Sequence, residues 1–357
     1  MPNLDFKKLF DYTLPEERIA NEPLAKRDSS KLLTINRETG VVKHKHFYDL
    51  VGLLGSNDVL VLNQSKVFPA RLFGRKQTGG HVEILLISQK TQNTWKAISK
   101  PGLSVGQMLA FSEGISGEVI ERDELGEVTI TFIYPYQTFF EALERIGSTP
   151  IPGYIHTKLS EKELRGKYQT VYAKQEGSAA APTAGLHFTT ELLGQLTKKG
   201  VQIEYITLHV GLGTFQGLRE EHFKTNSLHQ EYYEVSKDVA VRLTKAKKEK
   251  KRIIAVGTTT TRTLETVATD KGEIPFSQGP TSLFIYPPYA FKFIDSMITN
   301  FHLPQSSLLM LISAFGSFPN TTHRFESFNT SILGKAYLEA IDKKYRFFSF
   351  GDAMWIC

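Results

Sequence analysis

The chain has 357 residues, 41% hydrophobic and 22% charged, with a formal net charge of +6. That is ordinary globular composition, long enough for two domains, and its mild positive balance fits a polyanionic partner without identifying one. The single cysteine, Cys357, excludes a disulfide framework and a cysteine-based zinc cluster, and fits a reducing compartment. The first residues carry no apolar signal region, and the longest apolar run, residues 308–315, is far too short to span a bilayer, so a cytoplasmic protein without membrane contact is expected.

In chain order, residues 32–42 read as a hairpin. From Asp58 to Phe132 short β-rich runs alternate with turn signals: residues 59–62, 70–73, 82–87 and 128–132, with Gly79-Gly80 as a turn between two of them. Gly102, Gly106, Gly114, Gly117 and Gly126 punctuate this stretch, and no amphipathic helix appears before residues 137–146. The pattern predicts a small antiparallel barrel or sandwich. Beyond Pro150 helices and strands alternate. Thr189 or Thr190 caps a helix with Leu192, Leu193 and Leu196 as its apolar stripe and Gly200 at its end. Residues 201–210 form an apolar, β-branched strand of the kind buried on both faces of a parallel sheet. A helix over 238–251, a strand over 252–256, a helix over 262–268, a strand over 282–286, helices over 308–314 and 334–343 and a final strand over 346–350 follow. This alternation predicts an α/β unit with mostly parallel strands.

Chemistry-bearing residues gather in a few blocks. Pro182-Thr-Ala-Gly-Leu-His-Phe-Thr189 and Thr207-Leu-His-Val-Gly-Leu-Gly-Thr-Phe215 each set one histidine, His187 or His209, among glycines and threonines, where backbone approaches a ligand closely. Gly257, Thr258 and Thr259 follow a strand and open a helix, offering free N–H groups and hydroxyls to an anion; plain helix capping is the alternative. Arg262 can grip an oxyanion with two parallel hydrogen bonds, or simply pack along its helix. His187, His209 and His302 are the candidate proton handlers, against the alternative of hydrogen-bonded structural histidines. His44 and His46 share a strand face with metal-ligand spacing, yet lack a third ligand, so a solvated edge is favoured and no metal site is expected. Gly211, Gly213 and Gly217 miss the dinucleotide-binding spacing. The helix over 238–251 is lysine-rich and reads as a solvated face. Lys158, Lys162, Arg165, Lys167 and Lys174 interleave with Tyr154, Tyr168 and Tyr172, a composition suited to phosphate contacts and base stacking in RNA as well as to ordinary surface.

The two histidine blocks, with Ile19-Ala-Asn-Glu-Pro-Leu-Ala-Lys-Arg-Asp28, Val67-Phe-Pro-Ala-Arg-Leu-Phe-Gly74, Tyr168-Gln-Thr-Val-Tyr-Ala173, Gly257-Thr-Thr-Thr-Thr-Arg-Thr-Leu-Glu265, Thr299-Asn-Phe-His-Leu-Pro304 and Tyr345-Arg-Phe-Phe-Ser-Phe-Gly-Asp-Ala-Met354, form an ordered set from Leu14 to Met354. This set resembles the S-adenosylmethionine:tRNA ribosyltransferase-isomerases of queuosine biosynthesis. The resemblance implies a mixed α/β, barrel-like main domain made of residues 1–57 and 150–357, with a small all-β barrel over 58–149 inserted in it. It implies an enzyme that transfers and isomerises the ribosyl part of S-adenosylmethionine, a co-substrate and not a resident cofactor, onto 7-aminomethyl-7-deazaguanine at the tRNA wobble position. Products are epoxyqueuosine in tRNA, adenine and methionine. The partner is the tRNA anticodon stem-loop, and the enzyme is taken to act as a monomer. Within this reading His187, His209 and His302 handle protons, and Gly257, Thr258, Thr259, Arg262, Glu231 and Asp352 hold substrate. Lys158, Lys162, Lys167, Tyr168 and Lys174 meet tRNA. Residues 151–154, 164–167, 229–231 and 286–288 depart from the family's pattern, which bears on local loops and tRNA contacts. A noncatalytic RNA-binding protein and a methyltransferase are the rival readings; the latter would be expected to carry a glycine-rich loop with an acidic partner.

Overall fold

The computed structural model describes residues 4–124, 126–151, 153, 155–211 and 217–357. Tyr154 and residues 212–216, the end of the second histidine block, lie outside the described residues. The strands are β1 (Lys31–Ile35), β2 (Val42–His46), β3 (Asp58–Asn63), β4 (Ser65–Val67), β5 (Arg71–Lys76), β6 (His81–Gln89), β7 (Thr94–Lys100), β8 (Met108–Ala110), β9 (Ser116–Arg122), β10 (Val128–Ile133), β11 (Gln175–Ser178), β12 (Gln202–Leu208), β13 (Ser227–Val235), β14 (Arg252–Val256), β15 (Ser277–Leu283), β16 (Ser296–Asn300) and β17 (Ala353–Ile356). The α-helices are α1 (Leu50–Leu53), α2 (Phe139–Ile146), α3 (Glu161–Lys167), α4 (Thr190–Lys198), α5 (Glu220–Thr225), α6 (Lys237–Lys248), α7 (Thr258–Val267), α8 (Ser307–Phe315) and α9 (Ile332–Asp342).

The main sheet runs β15-β13-β12-β3-β14-β16-β17-β1-β2. Its centre, β12, β3, β14 and β16, is parallel, whereas β16–β17, β1–β2, β12–β13 and β13–β15 pair antiparallel. The sheet is therefore mixed, not mostly parallel, because hydrophobic periodicity reports burial and is silent on strand direction. Apolar runs in the centre serve two cores at once. Val59, Val61, Ile253, Ala255 and Met297 face the core shared with α6, α7, α8 and α9, while Leu60, Leu62, Ile254, Val256 and Ile298 face the one shared with α1 and α4. Thr189 caps α4 by accepting from the Leu192 N–H at 3.0 Å.

The N-terminal hairpin β1–β2 joins this sheet through β1 beside β17. Residues 58–63, which the sequence groups with the β-rich insert, instead form β3 at the sheet's centre, wholly buried between β12 and β14. The expected final strand over 346–350 is also displaced. Phe348 takes φ +73°, which breaks an extended run, and the strand forms at β17 instead.

Between β3 and β12 the chain builds a closed barrel of antiparallel neighbours, β10-β7-β6-β5-β8-β9. Ile84, Trp95, Ile130 and Phe132 fill its core, with Phe139, Ala142 and Leu143 of α2 packed into it. At the crossing between the two units β4 and β11 pair in parallel.

Candidate active site

A cavity of about 220 Å³ opens at the carboxyl ends of the central strands. Val210 just past β12, Gly257 just past β14, and Thr299, Asn300 and Phe301 at the end of β16 line it. Open α/β sheets bind ligands at this position. Residues 180–184 form a second wall. It is tied to the sheet by Ser178, whose hydroxyl donates to the Ala180 carbonyl at 2.7 Å and accepts from the Val210 N–H at 2.9 Å.

Two helices begin at the cavity. Gly257 starts α7 at φ +90°, a conformation that a side chain strains, and donates its N–H to the Ile298 carbonyl at 2.7 Å. The hydroxyls of Thr260, Thr261, Thr263 and Thr266 donate to carbonyls four residues back. Thr258 and Thr259 are left to line the cavity with the helix's first N–H groups. Ser306 caps α8 by accepting from the Leu309 N–H at 3.2 Å, and Ser306, Ser307 and Leu308 line the opposite side. The described lining residues include no Asp, Glu, Lys or Arg. Both helix ends thus present positive partial charge to a cavity whose walls are neutral.

The three histidines separate. His302 lines the cavity, bonded through Nε2 to the Thr299 hydroxyl at 2.8 Å, and burial pulls its pKa down to about 3. Its backbone is held by the Tyr337 hydroxyl, which accepts its N–H at 3.0 Å, and by the Tyr12 hydroxyl, which donates to its carbonyl. His187 is buried behind the wall. Its Nδ1 meets the Ser30 hydroxyl at 2.8 Å and its Nε2 meets the Asn300 amide nitrogen at 3.2 Å. Burial, then the charges of Arg346 and Arg27, lower its pKa to about 3, so it is neutral. Asn300 must donate to Nε2, so the Nδ1 proton points to Ser30. His209 lies beside Gly177 and Tyr232; its Nδ1 is buried without a partner among the described residues, and burial lowers its pKa. His187 and His209 make different contacts, and neither lines the cavity.

Arg262 is also not free to take a ligand with its whole fork. Its Nη1 forms a buried ion pair with Glu231, and its Nε donates to the Leu283 carbonyl at 3.2 Å. Glu231 in turn accepts from the Gly211 N–H at 3.0 Å, which anchors the start of the glycine-rich segment. Asp352 does not line the cavity. It accepts from the backbone of Lys31 at 3.1 Å and of Arg346 at 2.9 Å, and pairs with the Arg346 guanidinium at 3.1 Å. It fastens the C-terminal strand to β1. Residues that sequence reasoning missed are Asn300, Thr183, Ser306 and Ser307. Thr183 donates to Asn300 at 2.9 Å. The Thr299-Asn-Phe-His block did contain the signal, but only its histidine was read as chemical.

A family model described as queuosine biosynthesis protein matches residues 7–356. The chain belongs to the queuosine biosynthesis family. It is also similar to a solved structure, S-adenosylmethionine tRNA ribosyltransferase from Thermotoga maritima, at 37% identity, covering 98% of this chain and 100% of that one, with a TM-score of 0.55.

On this member of the queuosine biosynthesis family, Lys158, Lys162 and Lys174 are exposed and Lys167 half-buried, whereas Tyr168 is fully buried edge-on to Phe350 and has no face to offer a base. Arg165 ties α3 to α2 through Glu144 at 2.8 Å and pairs within α3 with Glu161 at 2.9 Å. The cations of α6 are largely bridged, Arg242 to Glu204, Lys247 to Asp295 and Lys248 to Glu273. His44 reaches the Tyr345 hydroxyl and Glu339 at the sheet edge, and among the described residues no group of three His, Cys, Asp or Glu is placed to hold a metal. No described helix is long and apolar enough to cross a membrane.

Proposed function

We propose that this protein transfers and isomerises the ribosyl moiety of S-adenosylmethionine onto the aminomethyl group of 7-aminomethyl-7-deazaguanine at the wobble position of tRNA. It releases adenine and methionine and leaves epoxyqueuosine in the anticodon stem-loop. We further propose that it acts in the cytoplasm as a monomer. The observation that carries the reading is a cavity with no Asp, Glu, Lys or Arg among its described lining residues, between two helix N-termini at the carboxyl ends of the parallel strands, in a chain of this family. Likeness to the 37% identical S-adenosylmethionine tRNA ribosyltransferase of Thermotoga maritima supports it.

The sulfonium of the co-substrate acidifies the adjacent ribose C5′ protons, so one positioned base suffices to remove one. Departing adenine accumulates negative charge, and preorganised N–H donors at a helix start stabilise such charge. The first turn of α7, with Thr258 and Thr259, takes that role. His302, neutral far below physiological pH, is too weak a base for the proton transfer and serves as an orienting hydrogen-bond partner. His209 is the better proton acceptor, because its Nδ1 is unpartnered among the described residues and the next residue, Val210, lines the cavity. His187 positions Asn300. Lys158, Lys162, Lys167 and Lys174 contact tRNA phosphates. We also propose two folding units: the barrel region as the insert, and the remainder, including β3, as the catalytic unit. Incubation with S-adenosylmethionine and precursor-bearing tRNA, followed by mass analysis of the nucleosides, tests the activity. Methylated nucleoside, or unchanged precursor, refutes it.

A further inference from the structure

A smaller hollow of about 30 Å³ adjoins the main cavity and shares Leu218, Ser307 and Leu308 with it. Its polar lining is His222, His229, Glu231, Arg262 and the shared Ser307. Arg262 is only 5% exposed, and its Nη2 is buried with no partner among the described residues, although Nη1 and Nε are both engaged. His229 Nε2 is buried and unpartnered in the same way. Its ring is braced edge-on by His222, centroids 5.0 Å apart, and His222 is itself fixed by accepting the Arg219 N–H at 3.0 Å. Burial lowers the His229 pKa, with Glu127 and Glu231 opposing and Arg219 and Lys96 adding to that shift, so its neutral ring can present Nε2–H. Two buried donors aimed into one hollow, one of them charged, are costly to leave unsatisfied and mark a place where an acceptor belongs.

We propose that this side pocket binds the α-carboxylate of the amino-acid end of S-adenosylmethionine, through Arg262 Nη2 and His229 Nε2. The inference rests on the reading above, in which that molecule occupies the main cavity. The apolar side chains of Leu218 and Leu308, common to both spaces, suit the methylene chain between carboxylate and sulfonium. At about 30 Å³ the hollow is far smaller than the main cavity of about 220 Å³, so it suits the small polar end of a ligand and not its bulk. Glu231 holds Nη1 and keeps the guanidinium pointing at the hollow, so its own charge is already matched.

The test is calorimetric titration of the whole protein with S-adenosylmethionine and with its decarboxylated analogue, which carries a 3-aminopropyl chain. Wild type is expected to bind the former at least ~10-fold more tightly, as for a charge-assisted hydrogen-bonded pair. His229→Leu removes a side chain whose inner nitrogen has no partner to abandon, so its fold is expected to survive, checked by circular dichroism, while most of the discrimination disappears. Equal affinity of wild type for the two ligands, or undiminished discrimination in folded H229L, overturns the side pocket. Binding of neither ligand is a different result: it overturns the reading that S-adenosylmethionine occupies the cavity, and this assignment with it. A bound structure with only water in the hollow and the carboxylate elsewhere overturns the side pocket alone.

Discussion

Replacing His187 by Gln separates a buried neutral positioning histidine from a proton-handling one. The ring is buried, bonded on both nitrogens and stacked on Phe47 at 5.0 Å. Its pKa is about 3 in the fold, against roughly 6.5 in an unfolded chain. Below pH 6.5 the unfolded state takes up a proton that the folded state refuses. The stabilising contribution is therefore complete above 6.5 and is lost as pH falls toward 3. At pH 5.5 the loss is about 1.4 kcal/mol, since the unfolded form is then roughly ten parts protonated to one neutral. Gln does not titrate and escapes this loss. At pH 7.5 the variant is expected to be less stable than wild type by about 1–3 kcal/mol, because Ser30 and Asn300 lose well-placed partners. The gap should then shrink by about 1.4 kcal/mol at pH 5.5. Urea denaturation at the two pH values measures it. A gap that does not change with pH means that His187 is not held neutral, and the positioning argument fails.

His209→Asn is expected to lower the single-turnover rate by roughly 100-fold or more while leaving the melting temperature nearly unchanged. Gly185→Ala places a Cβ 2.0 Å from the Tyr172 hydroxyl oxygen, so urea titration should show a loss of about 1–3 kcal/mol. Tyr172→Phe removes that oxygen, which has no partner among the described residues, and should recover part of the loss in the double variant. Changing Lys158, Lys162 and Lys174 together to Gln should weaken tRNA binding and flatten the slope of log affinity against log salt by about 2–3; an unchanged slope removes this face from the interface.

The elements were legible where one residue pattern has one structural meaning. Thr189 before a leucine stripe specified α4, and Gly79-Gly80 specified the β5–β6 turn. Residues 58–63 were misplaced because an apolar run suits a barrel wall and a double-covered central strand equally well. Phe348 was read as strand because its left-handed backbone has no signature in a bulky aromatic residue. The cavity's location was legible from Gly257, Thr258 and His302, which do line it. The partners of the charged and histidine residues were not. Nothing in the sequence says that Arg262 spends Nη1 on Glu231, that Asp352 clamps Arg346, or that His187 faces Asn300. The Arg262–Glu231 and His187–Asn300 pairings join positions 31 and 113 residues apart, whereas Asp352 and Arg346 are only 6 apart and meet across a segment that includes the left-handed Phe348.

The neutral walls of the cavity constrain how it treats its proposed co-substrate. S-adenosylmethionine arrives with a positive sulfonium, yet the described lining has no carboxylate, and two helix N-termini point positive ends inward. Such a site gives the sulfonium no compensation in the ground state. It favours the species formed as the sulfur loses its charge and adenine gains electron density, which is differential binding of the transition state. The neutral thioether analogue S-adenosylhomocysteine, which keeps the adenosine and the amino-acid end, isolates this effect. It should bind at least as tightly as S-adenosylmethionine, with the ratio moving further in its favour at low ionic strength, where unscreened helix-end charges act most strongly. Calorimetric titration of both ligands at two salt concentrations measures the ratio. An S-adenosylhomocysteine affinity ~10-fold weaker would mean that a negative group meets the sulfonium, and the account of a charge-free, helix-end-dominated cavity would be wrong.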